Sequence, residues 1–563
     1  MHRRVRIVLL AAFTYACGGE ESTTPTSPDP NTPVVSALEI SPPADTLLAI
    51  GESSTFVAVA RDAQGNQLSG VSVSWASSTP SVATIGQSTG VAVAQSNGTT
   101  QITAISGSVS STSSLTVRQQ PVSFDLSPTA ATRVPAEPVQ LTASPADANG
   151  HPIDDLIVTW GLSDSTVATI DSAGTVVGDT MGLVVVTATV DSFVRNASVL
   201  IVQPFADLSV AEANACGLDV NGAAHCWGQG GAQLGIGPGD TEQLIPAPVL
   251  GGLDWRVVST AGPNTCGVTL DDQLFCWGYN NNGELGADVT PETCSGYPCS
   301  TQPLRIADSL SFLTVAGGMG YTCAAALDGT AYCWGVAVAP GDGQEWQGPT
   351  PGPVRVTGDL DFRQLATGIA QACGITVNND AYCWGENGNY QLGDGTSEPI
   401  RFEPVPVVGG IKFQSIATSH EHTCGISIDG SGYCWGRNVE GQFGVPGSPE
   451  HSNTPVLLSS EMRFIDIAPG MFHTCAVTTS GEGYCWGEND LGQLGDGTTT
   501  PAATPRRIAG DFVFTSISTR LFDTCGVTEH GAAVCWGGNR EGAVGDGTKT
   551  QRLSPVRVFG LPD

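Results

Sequence analysis

The chain has 563 residues and, at ~100–200 residues per domain, holds several domains. Its formal net charge is −32 and its only lysines are Lys412 and Lys549, a field that repels phosphate and speaks against a nucleic-acid-binding surface. With 71 glycines, 36 prolines and only 13% charged residues, coiled coils and long charged helices are out of character, and 17 cysteines require an oxidising compartment or a metal.

In chain order, Arg3, Arg4 and Arg6 precede an apolar stretch at 7–16 that is too short to cross a bilayer but has the length of a signal-peptide core. Thr-Tyr-Ala-Cys at 14–17 resembles a bacterial lipobox, with Thr14 where leucine is usual; the resemblance implies a lipidated Cys17 at the end of a 1–17 signal segment. An ordinary cleaved signal peptide is the alternative, and either one gives export. Residues 18–34 are Ser/Thr/Pro-rich with little to bury, and read as an extended tether.

Residues 35–118 and 119–204 repeat one pattern at a spacing of 85: Val73-Ser74-Trp75 before Val82-Ala83-Thr84-Ile85, then Val158-Thr159-Trp160 before Val167-Ala168-Thr169-Ile170. Short β-branched runs between Gly, Asn and Asp, with one buried tryptophan each, predict two small β-sandwiches of about seven strands. Both resemble bacterial immunoglobulin-like domains of the intimin/invasin type, which implies spacers or adhesion stalks.

From 205 to 563 a Cys-Trp-Gly marker recurs at Trp227, Trp277, Trp334, Trp384, Trp435, Trp486 and Trp536, at intervals of 50, 57, 50, 51, 51 and 50. A strand-rich repeat of that length predicts propeller blades. Ten residues before each marker cysteine lies another, pairing Cys216 with Cys226, Cys266 with Cys276, Cys323 with Cys333, Cys373 with Cys383, Cys424 with Cys434, Cys475 with Cys485 and Cys525 with Cys535. The sixth residue after the first cysteine is always Gly, Asp or Asn, types that tolerate positive φ. A three-residue hairpin loop ending there sets the two cysteines directly opposite each other, with Cα atoms ~4.5–5.5 Å apart and within reach of a disulfide. Free buried cysteine is the alternative. Zinc is disfavoured, since the short Cys-x-x-Cys knuckle is missing. Cys294 and Cys299 staple the insertion in the second repeat, leaving Cys17 as the odd one.

The consensus His-Thr-Cys-Gly to Cys-Trp-Gly-x-Asn-x-x-Gly-Gln-Leu-Gly-Asp-Gly-Thr, best kept at 422–444 and 473–498, resembles the regulator of chromosome condensation repeat family, whose fold is a seven-bladed β-propeller. The expected fold is therefore all-β: two immunoglobulin-like sandwiches followed by that propeller. After Gly335 the third repeat leaves the pattern, so one rim loop should differ. The family's best-known activity is guanine-nucleotide exchange on a small nuclear GTPase, coupled to chromatin. Export and acidic charge oppose both roles. Some exported bacterial members bind other proteins, including as inhibitors of β-lactamases, and that comparison suits this compartment better.

Candidate site residues lie four, three and two positions before each blade's first cysteine, where the repeats vary against a constant frame. They include Met319, Tyr321, Ile369, His420, His422, Met471, Phe472, His473, Leu521 and Phe522; Met471, Phe472, Leu521 and Phe522 are expected to form one apolar patch. The competing reading packs these side chains inward. His420 and His422 share a strand face but have no identifiable third metal ligand, and His422 and His473 suit blade-to-blade hydrogen bonds. Neither a catalytic motif nor a calcium loop is present in the sequence. The expectation is a monomeric, non-enzymatic, surface-anchored binding or adhesion protein without cofactor or metal. It would touch membrane only through its lipid and recognise an exported or surface protein or glycan. Exchange activity, protein inhibition and an enzyme using the channel remain as alternatives.

Overall fold

A computed structural model describes residues 34–239, 242–287, 292–307, 309–336, 340–345 and 348–559. The signal segment, Cys17 and all but the last residue of the tether lie outside the described residues. Among these the architecture is nearly all strand, with a single short 3-10 turn at Ala232–Leu234, and no helix is long and apolar enough to cross a membrane.

In the first sandwich a four-stranded sheet (Ala44–Leu47, Val109–Val117, Gly98–Ser106, Ser74–Ser77) accompanies a three-stranded one (Ser53–Thr55, Val91–Ala94, Ala83–Ile85) and the pair Ala37–Ser41 with Val57–Arg61. Alternation along Gly98–Ser106 turns Thr100, Ile102 and Ala104 inward. Trp75 closes this core against Phe56, their rings 6.4 Å apart. Gly90 has φ +65, and a Cβ there would lie 2.3 Å from Phe56 O and 3.1 Å from the Trp75 ring, so only glycine fits. The second sandwich repeats the device with Gly174 (φ +87) under Trp160. Trp160, expected to be buried, is only half-buried. Leu141 stands where the first sandwich has Phe56, as the matching Leu141 N to Gly174 O and Phe56 N to Gly90 O hydrogen bonds show, and covers the indole less.

Residues 205–557 form seven sheets in sequence order, 205–248, 255–306, 312–355, 362–406, 413–457, 464–507 and 514–557, here called blades 1 to 7. Each has four strands except blade 2, whose fifth, Glu292–Cys294, belongs to the insertion. The first strand of each blade packs on that of the next, and Phe205–Val210 of blade 1 meets Phe514–Arg520 of blade 7, where Val210 N donates to Ser518 Oγ, closing a ring.

All seven expected cysteine pairs are disulfides, as is the insertion's Cys294 with Cys299. In the strand ladders Cys216 stands opposite Cys226, Cys266 opposite Cys276, Cys323 opposite Cys333 and Cys373 opposite Cys383. Cys424 likewise faces Cys434, Cys475 faces Cys485 and Cys525 faces Cys535. The one departure is in spacing: the Cα atoms of these seven pairs lie 4.0–4.1 Å apart, closer than the ~4.5–5.5 Å expected of opposed strand residues. The turn is the one the spacing predicts: its last residue has φ between +64° (Asp272, Asn379) and +90° (Gly222), and Gly222 N bonds Asp219 O at 3.0 Å. Eight disulfides assign the chain to an oxidising compartment.

The rest of the repeat consensus is a clasp between blades. Trp277 Nε1 and Thr265 Oγ1 both donate to the carbonyl of Gln233 in the preceding blade, each at 3.0 Å. The same double bond joins Trp334 and Thr322 to Glu284 O, Trp435 and Thr423 to Gln391 O, Trp486 and Thr474 to Gln442 O, and Trp536 and Thr524 to Gln493 O. Trp227 closes the ring on Ala543 O at 2.8 Å. Each indole lies on the glycine of a corner in the preceding blade, most often Leu-Gly: a Cβ on Gly393, at φ +67, would stand 2.6 Å from Trp435 Nε1. For Trp384 the corresponding residue of the repeat is Ala339, which lies outside the described residues with part of blade 3's divergent loop.

Candidate functional site

The loop between the first and second strands of each blade opens at the mouth of the ring, and its residues divide by depth. The residue two before the first cysteine begins the second strand and is buried in every blade: Asn214, Asn264, Tyr321, Gln371, His422, His473 and Asp523. Six of these reach the following blade. Asn214 Nδ2 donates to Thr260 Oγ1 (2.9 Å), Asn264 Nδ2 to Thr322 Oγ1 (3.2 Å) and Tyr321 Oη to Gln371 O (2.6 Å). Gln371 Nε2 bonds Thr418 Oγ1 (2.9 Å), while His422 Nε2 pairs with Thr474 Oγ1 (3.0 Å) and His473 Nε2 with Thr524 Oγ1 (3.1 Å).

Tyr321, His422 and His473 are therefore corrected from binding residues to members of an inter-blade belt. They are as variable as their neighbours in the loop but lie below the surface. Burial holds both imidazoles far below the usual histidine range, at about 3, so they are neutral hydrogen-bonding groups. Burial likewise pushes the Tyr321 phenol up. His420 and His422 do not come together as a metal site, since His422 is committed to Thr474 and the His420 Nδ1 lies 3.6 Å from the Glu421 carboxylate.

The residues three and four before the cysteine reach the surface. Met319 is exposed; Ile369, His420, Met471, Phe472, Leu521 and Phe522 are half-buried. The expected four-residue patch is split. Phe472 lies under the Arg437 guanidinium of blade 5, 5.0 Å from ring to cation, and Arg437 is itself paired with Glu421 and Glu440. Leu521 and Phe522 line a cavity of about 480 Å³, and the apolar residue that joins them there is Leu491 of blade 6. Gln229 and Tyr279 complete its wall from blades 1 and 2, with Arg540 and Glu541 from blade 7. Several of these residues come from the loop after Cys-Trp-Gly, which also varies, around an Asn kept in five of the seven repeats; that second variable loop was the available signal.

Leu521 holds a left-handed backbone, φ +37, which a branched side chain adopts at a cost. Asp523, beside it in the cavity wall, takes the place of the histidine of blades 5 and 6, and its Oδ1 accepts from Asn539 N at 2.9 Å. Burial raises its carboxyl to about 6 against the opposing backbone bonds from Asn539 and Gly538 and the Arg540 charge.

This fold and loop geometry define an all-β propeller protein with an immunoglobulin-like sandwich before it. The chain carries regulator of chromosome condensation (RCC1) repeats, matched by the family model at 378–426, 429–477 and 480–519 and by a second model of the repeat at 413–442 and 464–493. It also carries a bacterial Ig-like domain (group 2) at 122–201. It is similar to the ultraviolet-B receptor UVR8 of Arabidopsis thaliana, 36% identical over 114 residues, 20% of this chain and 26% of that protein. It is also similar to the mitochondrial RCC1 domain-containing protein RUG3 of the same plant, 28% identical over 298 residues, 50% of this chain and 64% of that one. Among solved structures, yeast RCC1 (Prp20), crystallised bound to Kap60, superposes with a TM-score of 0.54 at 20% identity, covering 64% of this chain and 85% of that one, and shows the propeller fold. The chain thus spans less than two thirds of either plant relative.

Proposed function

We propose that the protein is a non-enzymatic binding protein, exported and lipid-anchored through Cys17, whose propeller recognises another exported or surface protein, or a glycan, through the loops at the mouth of the ring. The observation that supports this is the division by depth. The belt bonds the following blade in six of the seven blades, the tryptophan clasp is made in six and the disulfide in all seven, so the frame is satisfied without most of the half-exposed loop residues outside it. Where blades 6 and 7 meet, these residues surround the cavity with Leu491, Leu521 and Phe522 on one side and polar groups on the other, a composition suited to protein recognition.

Capture of envelope proteins and glycans by the full chain, compared with a double variant carrying Leu521→Ser and Phe522→Ser, tests the reading. The expected result is an unchanged melting temperature with at least tenfold weaker capture. A melting temperature lowered by several degrees with capture retained assigns both residues to blade packing and overturns it.

A further inference from the structure

The residue three before each belt position stands at the end of the first strand of its blade or one residue past it. In six blades it is small and buried: Ala211, Ala261, Gly318, Gly368, Ser419 and Gly470. In blade 7 it is Arg520. The tight fit elsewhere shows why small residues stand there, since a Cβ on Gly318 would lie 2.2 Å from the Tyr321 ring and one on Gly470 would lie 2.2 Å from the His473 ring. Asp523 is shorter than those rings and turns its carboxylate to Asn539, so blade 7 has room for a long side chain at this position.

Arg520 continues the strand face that bears Ser516 and Ser518, all three half-buried, opposite the face that buries Ile517 and Thr519. From there its charge acts on Glu212 of blade 1, Tyr321 of blade 3 and His420 of blade 5. Arg520 ends the first strand of blade 7, one of the strands that pack on one another around the ring, immediately before the loop that opens at its mouth, and its side chain is half-buried there. Its guanidinium nonetheless makes no hydrogen bond or ion pair with any described residue, in a chain whose net charge is −32. Half-buried, the guanidinium is partly stripped of water, which disfavours its charged form, and a carboxylate brought beside it would favour that form.

We propose that the channel mouth is a carboxylate-binding site with Arg520 as its anchor. The planar guanidinium has the two parallel N–H donors that match a carboxylate. The ligand is the carboxylate of a protein side chain or terminus entering the mouth beside Leu521 and Phe522, or of a free small acid. The proposal deepens the reading of this face as the recognition surface and rests on it for the partner, but not for the anion.

Titration calorimetry of the full chain with succinate at constant ionic strength tests it. Saturable binding is expected in the wild type, with at least a tenfold loss in Arg520→Gln and a smaller loss in Arg520→Lys, which keeps charge without the fork. Glu212→Gln, which removes a competing negative charge, is expected to strengthen binding a few-fold. A peptide with one internal glutamate, compared with its glutamine twin, separates the sources: tighter binding than succinate assigns the site to a protein carboxylate, weaker binding to a free acid. No succinate heat up to ~50 mM, equal affinity in Arg520→Gln, or phosphate bound as tightly as succinate overturns the proposal. Succinate binding that survives while no envelope partner is captured leaves the anion site standing and removes the recognition reading alone.

Discussion

Replacing Asp523 by asparagine should make the protein more stable at neutral pH and indifferent to a titration that weakens the wild type. Asp523 is 6% exposed, and burial outweighs its bonds from Asn539 and Gly538 and the Arg540 charge to lift its carboxyl from 3.8 to about 6. A carboxyl with a raised folded pKa contributes its full stability below 3.8 and loses it as pH climbs through about 6, because the unfolded chain releases the proton first. At ~1.4 kcal/mol per pH unit, that gap amounts to about 3 kcal/mol as an upper bound. Asparagine keeps the Oδ1 that accepts from Asn539 N and has no proton to lose. Guanidinium unfolding followed by tryptophan fluorescence, without reductant, should give matching stabilities at pH ~3.5 and a variant more stable by up to about 3 kcal/mol at pH ~7.5. Asp466, also raised to about 6 by burial, titrates in both proteins and cancels in the difference. Parallel pH curves would refute the assignment of a buried, reluctantly ionised carboxyl to this cavity wall.

His422 gives the opposite sign. Its imidazole is held at about 3 by burial and by the neighbouring His473 and Arg437, so wild-type stability is complete above 6.5 and falls by up to ~1.4 kcal/mol per pH unit below it. His422→Asn, which copies the Asn214 and Asn264 solution to the same contact, should keep neutral-pH stability and flatten the acid limb in a pH series of thermal melts; an unchanged acid slope contradicts the neutral-histidine bond to Thr474. Alkylation of the unreduced, denatured chain, read by intact mass, should modify no more than one of the 17 cysteines, since sixteen are paired; two or more adducts would break the pairing scheme.

What the sequence made legible was whatever depends on local spacing. The ten-residue cysteine interval and the Gly, Asp or Asn six residues on determine a hairpin without knowledge of its neighbours, and all seven came out in register. The Cys-Trp-Gly period implied the ring in the same way. The purpose of the tryptophan and threonine was not legible, because the carbonyl they share lies ~32–44 residues earlier in the chain and only the ring brings it near. Leu491 was missed for the same reason: its partners Leu521 and Phe522 belong to the next blade.

The misplacement of Tyr321, His422 and His473 has a more general cause. Variation between repeats reads as the mark of a free surface, yet the belt position varies while buried. It does so because Asn, Gln, Tyr and His can each supply one polar atom to the following blade, and blades differ enough in local shape that no single length serves all. Variation therefore marks two different situations, a side chain with no structural duty and a duty that several side chains can perform; only depth separates them. Blade 7 breaks the second rule, because Asp523 turns its carboxylate to Asn539 of its own blade rather than to the next one. The ring thus has one position where the belt is interrupted, where Arg520 replaces a small residue and where Leu521 and Phe522 open a cavity. Three departures from the common repeat meet at one blade, beside the same loop, and both the proposed recognition surface and the proposed anion site are placed there.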